Sequence, residues 1–253
     1  MNTFSFWPLF TRLGEAQILL PLVALAALWL WLGAGQGGLA RRWLLAVGCA
    51  VALTTASKLA FIGWEVGLAD WDFTGISGHA ACSAAILPML GWLLVSGRAK
   101  PVRRAGVLGG FALAALVAWS RLAVDAHSGS EALSGFLLGS AASWIALSGL
   151  SLARAADNAP FAAAAGSPTS APRWLQTALV ASLLILPFSA PRSQTHEWVT
   201  ALSVRLSGRS QPFMRQDLHQ QPQQKTQKQM QKQLQKQLQP AAVRSSQSSR
   251  VIW

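Results

Sequence analysis

Charge is scarce in this sequence. Only 12% of its 253 residues are Asp, Glu, Lys or Arg, where a soluble domain carries about 25%. With 52% hydrophobic residues, that shortfall argues against a soluble domain and for a membrane protein. Cysteine is nearly absent as well. Cys49 and Cys82 both lie in apolar stretches without metal-ligand spacing, so both read as small buried apolar residues and are silent on redox compartment. A cleavable leader is not expected: no basic segment precedes a short apolar core, and the first long apolar run reads as a span.

What charge there is lies unevenly. The formal net charge is +12, and from Arg192 onward ten Lys/Arg face only two acids, Glu197 and Asp217. The high isoelectric point therefore belongs to the tail and the loops. It does not mark a nucleic-acid-binding face on the body, and no nucleic-acid partner is expected.

A bilayer core takes roughly 20 apolar residues in a helix. Six runs qualify, at 16–35, 43–63, 79–97, 106–124, 132–152 and 174–189, the last short and containing Pro187. Their loops alternate in charge. Arg41 and Arg42 follow the first run; Glu65, Asp70 and Asp72 the second; Arg98, Lys100, Arg103 and Arg104 the third; Asp125, His127 and Glu131 the fourth. Arg154, Asp157 and Arg173 flank an Ala/Pro/Ser-rich fifth loop. Basic loops stay cytoplasmic. The first, third and fifth loops are thus expected inside, and both termini with the acidic second and fourth loops outside. Trp64 and Trp71 suit an interfacial belt.

The expected architecture is all-α: a polytopic membrane bundle of about six helices over residues 1–191, followed by a basic Gln/Lys-rich tail over 192–253. Residues 196–206 suit a short interfacial helix with Trp198, Leu202 and Leu206 on one side. In "KTQKQMQKQLQKQLQ", Lys228, Lys232 and Lys236 recur every fourth residue, as do Met230, Leu234 and Leu238. A helix against anionic lipid or a protein partner is one reading. Solvated disorder is the one the composition favours.

The polar residues cluster in the two acidic loops. "ISGHAACSA" places Ser77, Gly78 and His79 where an apolar helix starts. A helix start offers free N–H groups and the positive end of a dipole, so an anion can dock there. His79 could then protonate an oxygen leaving that anion. A serine N-cap with a solvent-facing histidine is the plainer alternative. "WSRLAVDAHSGSEALSG" adds Arg121, a permanent fork for phosphate oxygens, or else an interfacial snorkelling arginine. It also adds His127 and, four residues on, Glu131. That carboxylate could hold one imidazole nitrogen and leave the other free to attack. Ser128-x-x-Glu131 also has the form of a capping box, and the two roles are compatible. For Asp70, Asp72 and Asp125, solvation or capping suffices.

"SGH" followed some forty residues later by Ser-Arg, five residues, His, three residues and an acid resembles motifs two and three of the type 2 phosphatidic acid phosphatase superfamily, which also contains the vanadium haloperoxidases. The resemblance spans roughly residues 58–139 and agrees with a six-span membrane branch. It implies that His127 attacks phosphorus to give a phosphohistidine, that Glu131 orients it and that His79 protonates the leaving group. It further implies that Lys58, Ser77, Gly78, Ser120 and Arg121 hold phosphate oxygens, and that neither metal nor other cofactor is needed. There are two departures. Glu131 stands where the family usually has Asp. Lys58 is not followed after six residues by Arg-Pro, for Glu65 and Val66 stand there. The expected protein is a lipid phosphate or diphosphate phosphatase of a bacterial inner membrane, its site facing outward. The alternative is a non-catalytic relative that binds an anionic lipid headgroup or a partner. Vanadate-dependent halide oxidation is set aside because those relatives are soluble.

Overall fold

The computed structural model describes residues 6–157 (149–157 as backbone only), 171–191, 193–220, 227 and 229–235. A short helix, α1 (Trp7–Leu13), opens the chain and was not expected. Pro8 in its first turn and Gly14 at its end are the start and stop signals that mark it. The six apolar runs then appear as α2 (Ala16–Leu28, continued by a π-helical turn Trp29–Gly33), α3 (Gly37–Trp64), α4 (Gly78–Leu94), α5 (Lys100–Ala123), α6 (Gly129–Asp157) and α7 (Arg173–Ser189). An eighth helix, α8 (Thr195–Ser207), covers the expected interfacial segment. Among the described residues the sole strand-like feature is one isolated bridge between Leu68 and Phe73.

Three helical stretches, Trp7–Gly33, Gly37–Trp64 and Lys100–Ala123, are long and apolar enough to cross a membrane, and α4 and α7 are shorter apolar helices. Many large apolar side chains, among them Leu45, Leu108, Trp144 and Leu184, lie on the outer surface. Water would penalise such a surface, whereas hydrocarbon suits it. The same logic corrects the reading of Cys49. It is exposed on α3, not buried; Cys82 is buried in α4. An apolar neighbourhood in sequence does not tell contact with lipid from contact with protein.

Helix α4 is the hub. It is buried nearly throughout, from Ala80 to Leu93, as expected of a helix apolar on every face. Two glycine pairs set how closely its neighbours approach. A methyl on Gly110 of α5 would stand 2.4 Å from the Leu87 carbonyl oxygen, and one on Gly139 of α6 would stand 2.2 Å from that of Ala81. Gly106 and Gly135, one turn away on each helix, are equally tight against α4. Inside lipid no water is expelled when helices meet, so close packing of this kind carries association. Ser143 and Trp43 add hydrogen bonds to the α4 carbonyls of Ala84 and Ala85, at 2.6 and 3.2 Å.

Successive helices run in alternating directions, which gathers the end of α3, the start of α4, the end of α5 and the start of α6 at one pole. Arg41, Arg42, Lys100, Arg103 and Arg104 lie at the opposite helix ends. Helix α8 packs on α3 at the first pole, where the Ser203 hydroxyl donates to the Leu59 carbonyl at 2.9 Å. Its Trp198, Leu202 and Leu206 remain exposed on the outer face. Residues 208–220 continue over the same pole, so part of the segment read as tail lies against the body. Of the Gln/Lys-rich run, residues 229–235 are helical and exposed, including Met230, Lys232 and Leu234. Lys228, Lys236 and Leu238 lie outside the described residues, as does the loop 158–170.

Candidate active site

The spacing between Arg121 and His127 has a structural origin. Helix α5 ends with the Arg121 carbonyl accepting the backbone N–H groups of Ala126 and His127, at 3.0 and 3.2 Å. Asp125 supplies the left-handed residue of that turn, with φ 52°, a conformation Asp tolerates better than most. This closure ties the backbone of His127 directly to that of Arg121. Helix α6 then starts at once. The Ser128 N–H donates to Glu131 Oε2 at 3.2 Å and the Glu131 N–H reaches Ser128 Oγ at 3.4 Å. That is a capping box.

The same carboxylate oxygen lies 2.6 Å from His127 Nδ1. Capping and orienting are thus one contact set, made by one side chain with zero exposure. Oε1 accepts the Thr74 N–H at 2.7 Å and the Thr74 hydroxyl at 2.5 Å. Burial alone would raise the Glu131 pKa. The hydrogen bonds from His127 and Thr74 outweigh it and hold the carboxyl down at about 2. Glu131 is therefore an anion at neutral pH. For His127, burial lowers the pKa and the Glu131 hydrogen bond opposes it, with Lys58 and Arg121 lowering it further. The net direction is downward, towards a neutral imidazole whose second nitrogen can act as a base or nucleophile.

The second loop is fixed against both neighbours. The Ser77 N–H donates to the Glu131 carbonyl at 3.1 Å, and the Ile76 N–H to Ser57 Oγ at 3.0 Å. Gly75, at φ 130°, lies on the Lys58 backbone, where a side chain would crowd Lys58 Cα at 3.3 Å. A cavity of about 620 Å³ opens between these parts. Lys58, Gly78, His79, Arg121 and His127 all line it, together with Thr74 and Cys82. Apolar side chains form much of its remaining wall, including Val51, Phe61, Ile62 and Val199.

Ser77 and Ser120 stand differently. Both are fully buried and neither lines the cavity. Ser77 is at the N-cap position of α4 without making a side-chain cap bond. Its hydroxyl has no hydrogen-bond partner among the described residues, and neither has the buried Nε of Arg121. Ser120 is turned towards α1: its hydroxyl donates to the Val117 carbonyl at 2.7 Å and meets Thr11 Oγ1 at 2.9 Å. Its geometry is that of a helix-packing residue.

Two contributors escaped the sequence reading. His196 of α8 lines the cavity. Arg215, which also lines it, places Nη2 at 2.7 Å from Glu131 Oε2 and pairs with Asp72. Glu65, standing where an arginine was expected, pairs with Arg209 at 2.5 Å. No local motif links positions 209–215 to position 65 or 131, so only the folded chain brings them together.

An all-helical chain with apolar outer faces thus gathers three imidazoles, a lysine and two arginines around one cavity, with a buried carboxylate on one of the imidazoles. This is the make-up of a membrane-associated hydrolase of the phosphatase type. The sequence model of the PAP2 superfamily matches residues 3–154, and the chain belongs to that superfamily. It is also similar to an uncharacterized 22.5 kDa protein in the cps region of Klebsiella pneumoniae, 37% identical over 215 residues, which covers 85% of this chain and 98% of the relative. No solved structure matches.

Proposed function

We propose that this chain hydrolyses a phosphorylated lipid, a phosphate ester or a diphosphate, through a phosphohistidine intermediate. The observation that carries the reading is the buried His127–Glu131 pair, 2.6 Å apart, at a cavity shared with His79, Lys58 and Arg121. With Nδ1 held by Glu131, His127 Nε2 attacks phosphorus and the bond to the leaving oxygen breaks. His79 gives that oxygen its proton, which the charge of an arriving phosphate favours by stabilising an imidazolium. Water then attacks the phosphohistidine, His79 takes its proton, and inorganic phosphate leaves. Lys58, Arg121 and the start of α4 at Gly78 serve the phosphate oxygens. The apolar wall suits a lipid chain, and the apolar exterior suits a bilayer.

The test is inorganic phosphate release by the purified full-length chain from polyprenyl diphosphate, phosphatidic acid and lipid A phosphates, each presented in mixed micelles. Release from at least one is expected, undiminished by EDTA and inhibited by orthovanadate, which adopts the geometry of the transferring phosphoryl group. Activity lost on chelation and restored by Mg²⁺ would overturn the mechanism. No release from any of the three would leave binding of an anionic headgroup as the function.

The same reading places six spans in a bacterial inner membrane with the site facing outward. Its support is the loop charge: the bases of the first and third loops lie at the pole opposite the cavity. A reporter fused after Asp72 is expected to read as periplasmic, and one fused after Lys100 as cytoplasmic. The same side for both would reject this orientation.

A further inference from the structure

Residues 209–219 are held against the site pole by contacts of several kinds. Phe213 donates its N–H to the Ile62 carbonyl at 3.0 Å and packs its ring on Phe61, with centroids 5.3 Å apart. Phe213 and Leu218 are buried with Phe61 and Ile62 in a small apolar cluster separate from the main core. Arg209 reaches Glu65, and His219 Nε2 lies 2.9 Å from Asp72 Oδ1. Between these anchors stands Arg215. One arm of its fork pairs with Asp72. The other lies 2.7 Å from the Glu131 oxygen that also holds His127 Nδ1, and 3.4 Å from Thr74 Oγ1.

We propose that Arg215 is a positioning residue of the site: by sharing the Glu131 carboxylate with His127, it fixes that carboxylate and keeps the imidazole neutral and available. The chemical purpose of this contact rests on the phosphatase reading; its geometry does not. An ionised carboxylate facing only His127 would favour imidazolium, and a protonated nitrogen cannot attack. A guanidinium on the same oxygen offsets that charge, and its planar fork sets where the oxygen sits. The charged and titratable groups around the His127 cavity are Glu131 on α6, Lys58 on α3, Arg121 on α5, His79 on α4, His196 on α8 and Arg215 from the C-terminal segment, with Asp72 behind Arg215. Arg215 is the permanent cation of this set supplied from outside residues 58–139. It makes the C-terminal segment part of the site rather than a free tail.

The test reads the His127 imidazole directly. Full-length protein carrying ¹³C-labelled histidine is titrated by NMR, and the His127 resonance is assigned by its loss in His127→Asn. Arg215→Gln is expected to move the His127 titration upward by about half a unit or more, since removing a nearby cation favours the charged form. Arg215→Lys, which keeps the charge and loses the fork, should recover most of that shift. In a phosphate-release assay the same Gln variant should lower kcat at pH 6 more than at pH 8, with KM little changed. An unmoved titration in Arg215→Gln, in protein whose melting temperature matches the wild type, would reduce Arg215 to an anchor and overturn the proposal. The titration is independent of turnover. A shifted His127 in a chain that releases no phosphate would uphold the Arg215 role while refuting the phosphatase reading.

Discussion

His127→Asn should abolish turnover, with kcat falling by about 10⁴-fold or more. The size follows from the site. His127 is the imidazole that Glu131 holds at Nδ1, and on the proposed mechanism it presents Nε2 as a neutral nucleophile. His79 lines the same cavity but starts α4, and among the described residues no carboxylate hydrogen-bonds it. It cannot take over the covalent step. Asn can still hydrogen-bond Glu131, which limits damage to the capping box and the turn after α5. Two measurements check the result. Phosphate release should vanish, and an alkali-stable phosphoenzyme, trapped by rapid quench from the wild type, should be missing from the variant. Turnover within tenfold of wild type, in protein of unchanged melting temperature, would rule out His127 as nucleophile.

The fold was legible wherever apolar runs were long. The six runs became α2 to α7 because a helix satisfies its backbone groups within itself, so a long apolar run is best met by one. Helix ends were less legible. α5 begins at Lys100 and α6 extends to Asp157, several residues beyond their apolar runs, since polar turns at helix ends carry no hydropathy signal. The juxtaposition of the candidate site's central residues was legible because its geometry is local. The Arg121–His127 offset is a helix closure, and the His127–Glu131 offset is one helical turn. Such spacings are readable because backbone hydrogen bonds impose them. Ser120 shows the limit of that logic: adjacency to Arg121 in sequence says nothing about which helix face it occupies, and its hydroxyl is bonded to α5 and α1. Arg215 shows the other limit. Nothing in "QPFMRQDLH" signals a site residue, because its partners Asp72 and Glu131 are 143 and 84 positions away.

Arg121→Lys should lower kcat by about 10²-fold, and inhibition by orthovanadate should weaken in parallel. Arg121 occupies the last turn of α5, where any cation gains from the helix dipole. If that were its whole role, lysine would serve equally and the substitution would be near neutral. The structure offers a sharper distinction. Arg121 lines the cavity, and its Nε is buried with no hydrogen-bond partner among the described residues. A buried N–H left unmet costs about 1–3 kcal/mol, and a phosphate oxygen bound in the cavity would satisfy this one. A phosphoryl group passing through a five-coordinate state spreads charge over its equatorial oxygens, and a guanidinium can donate to two of them at once with its fork held planar. An ammonium keeps the charge but meets those oxygens as a point, and on a flexible stem. Loss of one such preorganised donor costs about 10²–10³ in rate elsewhere. The measurement is kcat and KM for the lipid that proves to be turned over, with the vanadate inhibition constant alongside. If Arg121→Lys changes both by less than threefold, Arg121 serves the helix end and not the phosphate. If kcat and vanadate affinity fall together while KM barely moves, the fork acts on the transition state.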